Sequence, residues 1–396
     1  MKPLAGIRIA DFTVHAAGPF ATHMLSQLGA ECIKIESVLR PDIFRKPHPV
    51  YGRTGPASFD QVASNKRSVR INLKSPQGVA LAKRLVAVCD VASESFRPGV
   101  MGRLGLGYDA LSAVRPGLVM VSVSSSGQSG PDSHFAGYAP LFGAWGGLGY
   151  LTGYADGPPV EMRHVMDHCV GMNAALATVA ALHRRRRTGE GGHVDVSARE
   201  VASSLVGETL LLAAAGVNLH RTGNDHPRMA PHGVYKTRED DRWLTIAVGG
   251  DDEWRRLAQT IGREDLLGDP RFSSQEARMA HRSILDGLVE AWTRRQSAET
   301  AARALQDAGV AAHVSWSTKD IVEDGHLRER KAIVDVEDAD GHRRAAVSVP
   351  IRFSAWETGL ERGTPKLGED EDYVFGELLG MTRQERAALT EDKVIY

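Results

Sequence analysis

The first third of the chain alternates short β-branched runs with amphipathic stretches: IRIADF, PFATHMLSQLG, ECIKIE, GVALAKRLVAVC, DVASES and LVMVSVS follow one another in that order. A strand shows a period of two or a short apolar run, and a helix a period near 3.6, so a chain that keeps switching between them has few folds open to it. It reads as βαβ units in a parallel sheet, an α/β domain of the nucleotide-binding kind. No G-x-G-x-x-G follows any of these strands, which argues against a dehydrogenase. No G-x-x-x-x-G-K-[ST] occurs either, and the P-loop hydrolases drop out.

Beyond this region HVDVS reads as a strand and AREVASSLVGETLLLAAAG as a helix. Residues 218–230, NLHRTGNDHPRMAPHG and its surroundings, mix turn formers with His and Arg and have no period, so they read as a linker. WLTIAVG then begins a smaller α+β domain, expected over 218–334. From 335 the text becomes β-rich and Pro-containing through VSVPIRFSAW to TPKLGED. A length of 396 residues accommodates two domains.

A net charge of −1 offers no global field to a nucleic acid. The run Arg184–Arg187 reads as a solvated helix end. Cys32, Cys89 and Cys169 form no C-x-x-C pair, which suits a reducing cytoplasm. The N-terminus lacks the apolar core of a signal peptide, and apolar stretches such as LLLAAAGV fall well short of the ~20 residues of a membrane span. We therefore expect a soluble, cytoplasmic protein with neither nucleic acid nor membrane as partner.

One carboxylate stands apart. A Gly-Pro-Pro loop leads through EMRHVMDHCVGMNAALATVAALHRRRR, placing Asp167 at the start of a long apolar helix expected to be buried nearly all round. An anion at the N-terminal end and cations at the C-terminal end both suit the helix dipole, which helps keep Asp167 ionised. Such a carboxylate suits a nucleophile; equally, an Asp opening a helix is often only its N-cap.

The segments LAGIRIADFT, AGPFATHMLSQLGAECIKIE, NKRSVRINLKSPQG, SFRPGVMGRLGLGYDAL, GQSGP, RRTGEGGHVDVS, GNDHPRMAPHGVY and TPKLGE, with Asp42 and Arg45 at D-x-x-R spacing, stand in one order along nearly the whole chain. Together they resemble the class III CoA-transferases, the group of formyl-CoA:oxalate and carnitine CoA-transferases and 2-methylacyl-CoA racemases. That resemblance implies a Rossmann-like large domain built from residues 1–217 and 335–396, and a small α+β domain between them. It also implies two ring-like subunits interlocked as a homodimer. The partners it implies are an acyl-CoA donor and a carboxylic acid acceptor, with a CoA thioester as substrate and no tightly bound cofactor. Asp167 would be catalytic, carrying CoA as an aspartyl thioester. His15, Phe96, Arg97, Arg103 and Leu104 would contact CoA, with Lys66 and Arg67 as weaker candidates. Glycines at 143–149 either let backbone N–H donors approach an oxyanion or serve tight packing.

Departures from the family pattern narrow the activity. Only Gly249 and Gly250 remain of the glycine run of formyl-CoA transferases, and Ala16 replaces their Gln, which argues against formyl-CoA:oxalate exchange. Tyr138 stands where racemases carry a His base, which argues against racemisation. Tyr138, Gly249 and Gly250 are the expected substrate-pocket residues, and Ser125-Ser126-Gly127 replaces the usual G-F-G. An acyl-CoA racemase or isomerase of the same fold remains an alternative, as does a metal-dependent enzyme using His164, Asp167 and His168 within one helical turn. A serine hydrolase lacks the G-x-S-x-G elbow around Ser122–Ser126. Cys169 reads as packing, and a CoA-binding relative without turnover would not need Asp167.

Overall fold

The computed structural model describes residues 1–46, 57–162, 164–337 and 341–396. Six parallel strands, β1 (Arg8–Asp11), β2 (Glu31–Glu36), β3 (Arg67–Arg70), β4 (Val91–Glu94), β5 (Val119–Ser124) and β6 (Gly192–Ser197), form one sheet in the order β3-β2-β1-β4-β5-β6. This is the Rossmann order, in which the direction of winding reverses at β1 and opens a crevice beyond the carboxyl ends of β1 and β4.

Both faces of the sheet are covered, so the central strands read as nearly continuous apolar runs; all six residues of β5 are buried. Alternate residues serve opposite faces. Ala10, Ile33, Val69, Ala92 and Met120 pack with Leu81 and Leu85 of helix Pro76–Ala87 and with Val374, Phe375, Val394 and Ile395 near the C-terminus. Ile9, Cys32, Val91, Val119 and Val121 pack on the other face with Ala21 and Leu25 of helix Ala17–Gln27 and with Val170 and Ala174 of helix Val165–Thr188. The chain end thus returns to the first domain as sheet cover. Its two strands, β10 (Ile333–Glu337) and β11 (Arg343–Val347), form a separate antiparallel pair.

Helix Val165–Thr188 departs from the expectation of all-round burial. Met166, Val170, Gly171, Ala174, Ala175 and Thr178 make its inner stripe, whereas Met172 is 45% exposed, Leu176 69% and Val179 38%. The helix stops at Gly189, whose φ of +77° favours glycine. Arg184 pairs with Glu190 and Arg185 with Asp90 at the same end. By length and composition this is one helix apolar enough to cross a membrane, a stretch that the sequence reading did not register. Its inner stripe packs along helix Ala17–Gln27.

The chain divides into two compact units, Met1–Gly149 with Glu161–Val217 and Gly325–Tyr396, and Tyr150–Val160 with Asn218–Asp324. Where the sequence expectation was 218–334, the smaller compact unit ends at Asp324 and takes in 150–160 as well. Arg221 explains that addition, since its guanidinium donates to the carbonyls of Tyr150, Tyr154 and Gly157. This unit has its own antiparallel sheet, β7 (His232–Lys236), β8 (Trp243–Ala247) and β9 (Ala311–Val314), in that order. A core of Leu244, Ile246, Trp254, Leu257, Leu285 and Leu305 supports it.

Candidate functional site

Loops leaving β1, β4 and β5 meet the first turns of helices Ala17–Gln27 and Val165–Thr188 around a cleft of about 570 Å³. Its wall is mostly apolar, with Val14, Phe44, Phe96, Val123, Phe135 and Phe142; its polar side chains are His15, Ser95, Arg97, Ser124, Ser125, Tyr138, His164 and Asp167. Four residues expected from sequence, His15, Phe96, Arg97 and Tyr138, therefore share one cavity with Asp167.

Asp167 is not the N-cap of its helix. His164 holds that position and no side chain caps the end, so Asp167 sits at the third helical residue with its carboxylate half-buried. Burial raises its pKa to about 6, with His168 pulling the other way. A carboxylate so placed is ionised at neutral pH yet poorly solvated, which favours attack on an electrophile. His168 is committed elsewhere: its Nδ1 lies 2.7 Å from the His164 carbonyl and its ring meets Phe20 edge-on at 4.4 Å. Among the described residues no group of three His, Cys, Asp or Glu is arranged to hold a metal ion.

A glycine brings the two helix ends together. A Cβ at Gly171 would lie 2.7 Å from the Ala17 carbonyl oxygen and 2.9 Å from Phe20 Cδ1. Helix Ala17–Gln27 also begins without a side-chain cap or an acidic residue in its first turn, and Ala16, Ala17 and Gly18 line the cleft. Two helix N-terminal ends without side-chain caps, each carrying the positive end of its dipole, thus border the cleft.

His15 occupies the left-handed region at φ +68°, uncommon for a residue with a side chain. Ser95 holds this loop: its Oγ accepts the Val14 N–H at 2.9 Å and donates to the Val14 carbonyl at 3.1 Å. Beneath lies a buried ionic cluster. Lys66 Nζ is 2.9 Å from Asp11 Oδ2 and also donates to Thr22 and the Pro19 carbonyl. Lys34 Nζ donates to the Thr13 carbonyl and stands 3.3 Å from Asp42. Burial would raise the Asp11 carboxyl, but Lys66 and Lys34 hold it below its ordinary value. Lys66 is fully buried, so it is removed as a phosphate contact.

The remaining candidates lie outside the residues that line this cleft. Arg67 is engaged with Glu31 and Asp370 and covers Tyr373. Arg103 and Leu104 do not line the cleft; Leu104 packs against the core, and Arg103 ends a short helix beside Gly99. Gly249 and Gly250 lie in the smaller unit, where Gly249 donates to Glu253 and Gly250 precedes helix Asp251–Thr260. The glycines of 143–149 serve packing: a Cβ at Gly146 would stand 2.2 Å from the Ala202 Cβ, and one at Gly149 1.8 Å from Glu161 Oε1. Asp42 and Arg45 are structural as well, Asp42 capping Phe44 and Arg45 gripping Glu36 over the Phe59 ring.

Ser95, Phe44 and Ser124 were not assigned to the site from sequence, although Ser95 opens the S-F-R-P-G motif, Phe44 lies within D-x-x-R and Ser124 within Ser122–Ser126. Sequence reading also missed that Ser122 Oγ lies 2.9 Å from His193 Nε2, although Ser122 is buried away from the cleft.

A family model described as CoA-transferase family III matches residues 4–371. Over its whole length the chain is 36% identical to the succinyl-CoA–D-citramalate CoA-transferase of Chloroflexus aurantiacus, covering 98% of that protein. It is 32% identical to the succinyl-CoA–L-malate CoA-transferase beta subunit of the same organism, over 99% of this chain and 98% of that one. A crystal structure of a CAIB/BAIF family protein from Brucella suis superposes with a TM-score of 0.87 at 30% identity, covering 95% of this chain and 99% of that one.

Proposed function

The chain belongs to CoA-transferase family III and is an enzyme of that class, and from that premise we propose that it moves CoA from succinyl-CoA to a small hydroxy-dicarboxylic acid through an aspartyl-CoA thioester on Asp167. The observation that carries the mechanism is a half-buried carboxylate with its pKa raised to about 6, set in the first turn of a helix and lining an apolar cleft. The acyl donor and acceptor are suggested by the two Chloroflexus relatives.

In this reading the Asp167 carboxylate attacks the donor thioester carbonyl. The C–S bond breaks, giving a mixed anhydride and CoA thiolate. The thiolate then attacks the aspartyl carbonyl, releasing the donor acid and leaving aspartyl-CoA. The acceptor carboxylate opens this thioester to a second anhydride, and the returning thiolate takes the acceptor acyl group and frees Asp167. No proton or electron is gained or lost over the cycle. Each step passes through an oxyanion, for which the uncapped first turns of the two helices supply N–H donors. Phe96 and Arg97 contact CoA at one side of the cleft, and His15 and Tyr138 border the acyl end. Racemisation is not favoured, because Tyr138 stands where that chemistry would need a histidine base.

A homodimer belongs to the same proposal. Its support is the apolar stripe of Met172, Leu176 and Val179, together with Leu210 at 53% and Leu211 at 75% exposure.

The test is intact-mass spectrometry after mixing the protein with succinyl-CoA and no acceptor. A CoA adduct on Asp167, released by hydroxylamine, is expected in the wild type and absent from Asp167→Ala. Normal transfer by Asp167→Ala would overturn the mechanism.

A further inference from the structure

The loop that brings Phe96 and Arg97 to the cleft leaves the sheet at Glu94, the last residue of β4, which is only 3% exposed. A carboxylate buried at the end of a central strand is costly unless its oxygens are hydrogen-bonded. Glu94 Oε2 accepts the Phe96 N–H at 2.7 Å, closing a turn over Ser95. Ser122, its register partner on β5, stands beside it and favours the charged carboxylate. Ser122 Oγ lies 2.9 Å from Nε2 of His193 on β6, whose ring stacks on Tyr108 at 5.7 Å. A line of polar side chains therefore runs from the backbone of the cleft loop through Glu94 and its neighbour Ser122 to His193. Glu94, Ser122 and His193 do not line the cleft themselves.

We propose that Glu94 is a positioning residue for the CoA thioester: its buried carboxylate, set against Ser122 and His193, fixes the turn that presents Phe96 and Arg97 to the cleft. This rests on the CoA-transfer reading above. The same turn carries Ser95, whose hydroxyl holds the Val14 backbone in both directions, so Glu94 also sets the loop bearing His15.

On this proposal the turn responds to pH. Burial raises Glu94 to about 7, Ser122 and the bond from the Phe96 N–H oppose the rise, and Asp195 on β6 adds to it. The other titratable groups facing this line are His193 itself, Tyr108, and Asp109, whose charge acts on His193. An N–H bond to a carboxylate is roughly twice as strong as one to a neutral acid. The loop is accordingly held more firmly as pH rises through about 7.

Steady-state transfer from succinyl-CoA by the wild type, Glu94→Gln and Glu94→Ala between about pH 6 and 8.5 tests the inference. The wild-type KM for succinyl-CoA is expected to fall about fivefold as pH rises. Glu94→Gln should show a KM that stays flat near the wild-type acid value, with kcat within about twofold of wild type. Glu94→Ala should raise KM about tenfold at every pH while the Asp167 adduct still forms. Asp167 titrates alike in all three, so its effect on kcat cancels in the comparison. If Glu94→Gln follows the wild-type KM curve, or if both variants lose kcat and Tm together at constant KM, Glu94 is only structural and the inference fails. Should Glu94→Ala not fold, the pH curve of Glu94→Gln decides. Absence of any Asp167 adduct in the wild type would instead defeat the transfer reading.

Discussion

Asp167 is costly for the fold, and the proposed reaction makes use of that cost. Burial raises its pKa from 3.8 to about 6. Its stabilising contribution is therefore present below its ordinary range and lost as pH rises through about 6. Asp167→Asn should raise stability at pH 8 by on the order of 2 kcal/mol, with little gain at pH 4, while abolishing transfer; urea melts at the two pH values measure the difference. Wild-type kcat/KM should fall as pH drops through about 6, because the protonated acid is not a nucleophile. Asp11 behaves in the opposite sense. Burial would raise it, but Lys66 and Lys34 hold it low, so its contribution is present above the ordinary carboxylate range and lost in acid. Lys66→Met strands that carboxylate in the core and should cost about 3–5 kcal/mol at pH 7, a loss that chemical denaturation would register and that shrinks as pH falls.

At the scale of elements, the site depends on how closely two helices begin side by side. Gly171 permits this, and the approach of Ala17 O to within 2.7 Å of an added Cβ leaves no room for a larger residue. Gly171→Ala should cost about 1–3 kcal/mol and lower kcat more than it raises KM, because it separates the two first turns rather than the loop proposed to contact CoA. Unchanged kcat in a folded Gly171→Ala protein would show that the spacing is irrelevant to catalysis. The parallel sheet was readable from the alternating periods, since β-branched runs and amphipathic stretches are local properties. Burial of the Val165–Thr188 helix was not. Its alanines and leucines read as apolar all round, yet only one stripe meets neighbours, and Leu176 is 69% exposed. A composition cannot say which side of a helix finds a partner.

For the molecule as a whole, the exposed stripe makes the proposed homodimer testable. Leu176→Arg should leave each subunit folded but shift sedimentation from dimer to monomer at micromolar concentration; a monomeric wild type would remove the proposal. What the sequence by itself determined was local chemistry: strands and helices in alternation, a carboxylate near a helix start, an aromatic and an arginine in the S-F-R-P-G loop, and a tyrosine where a histidine base would stand. The tertiary structure decided which of the candidates meet. His15, Phe96, Arg97 and Tyr138 reach the Asp167 cleft because the strands before them, β1, β4 and β5, are neighbours whose carboxyl ends lie on one side of one parallel sheet. Lys66, as plausible a cation in sequence, is turned inward to Asp11 across two strands, and Arg103 and Leu104 fall outside the cleft. Residue type and spacing fix what a side chain can do, whereas strand order and helix packing join residues far apart in sequence and so select which of them can act together.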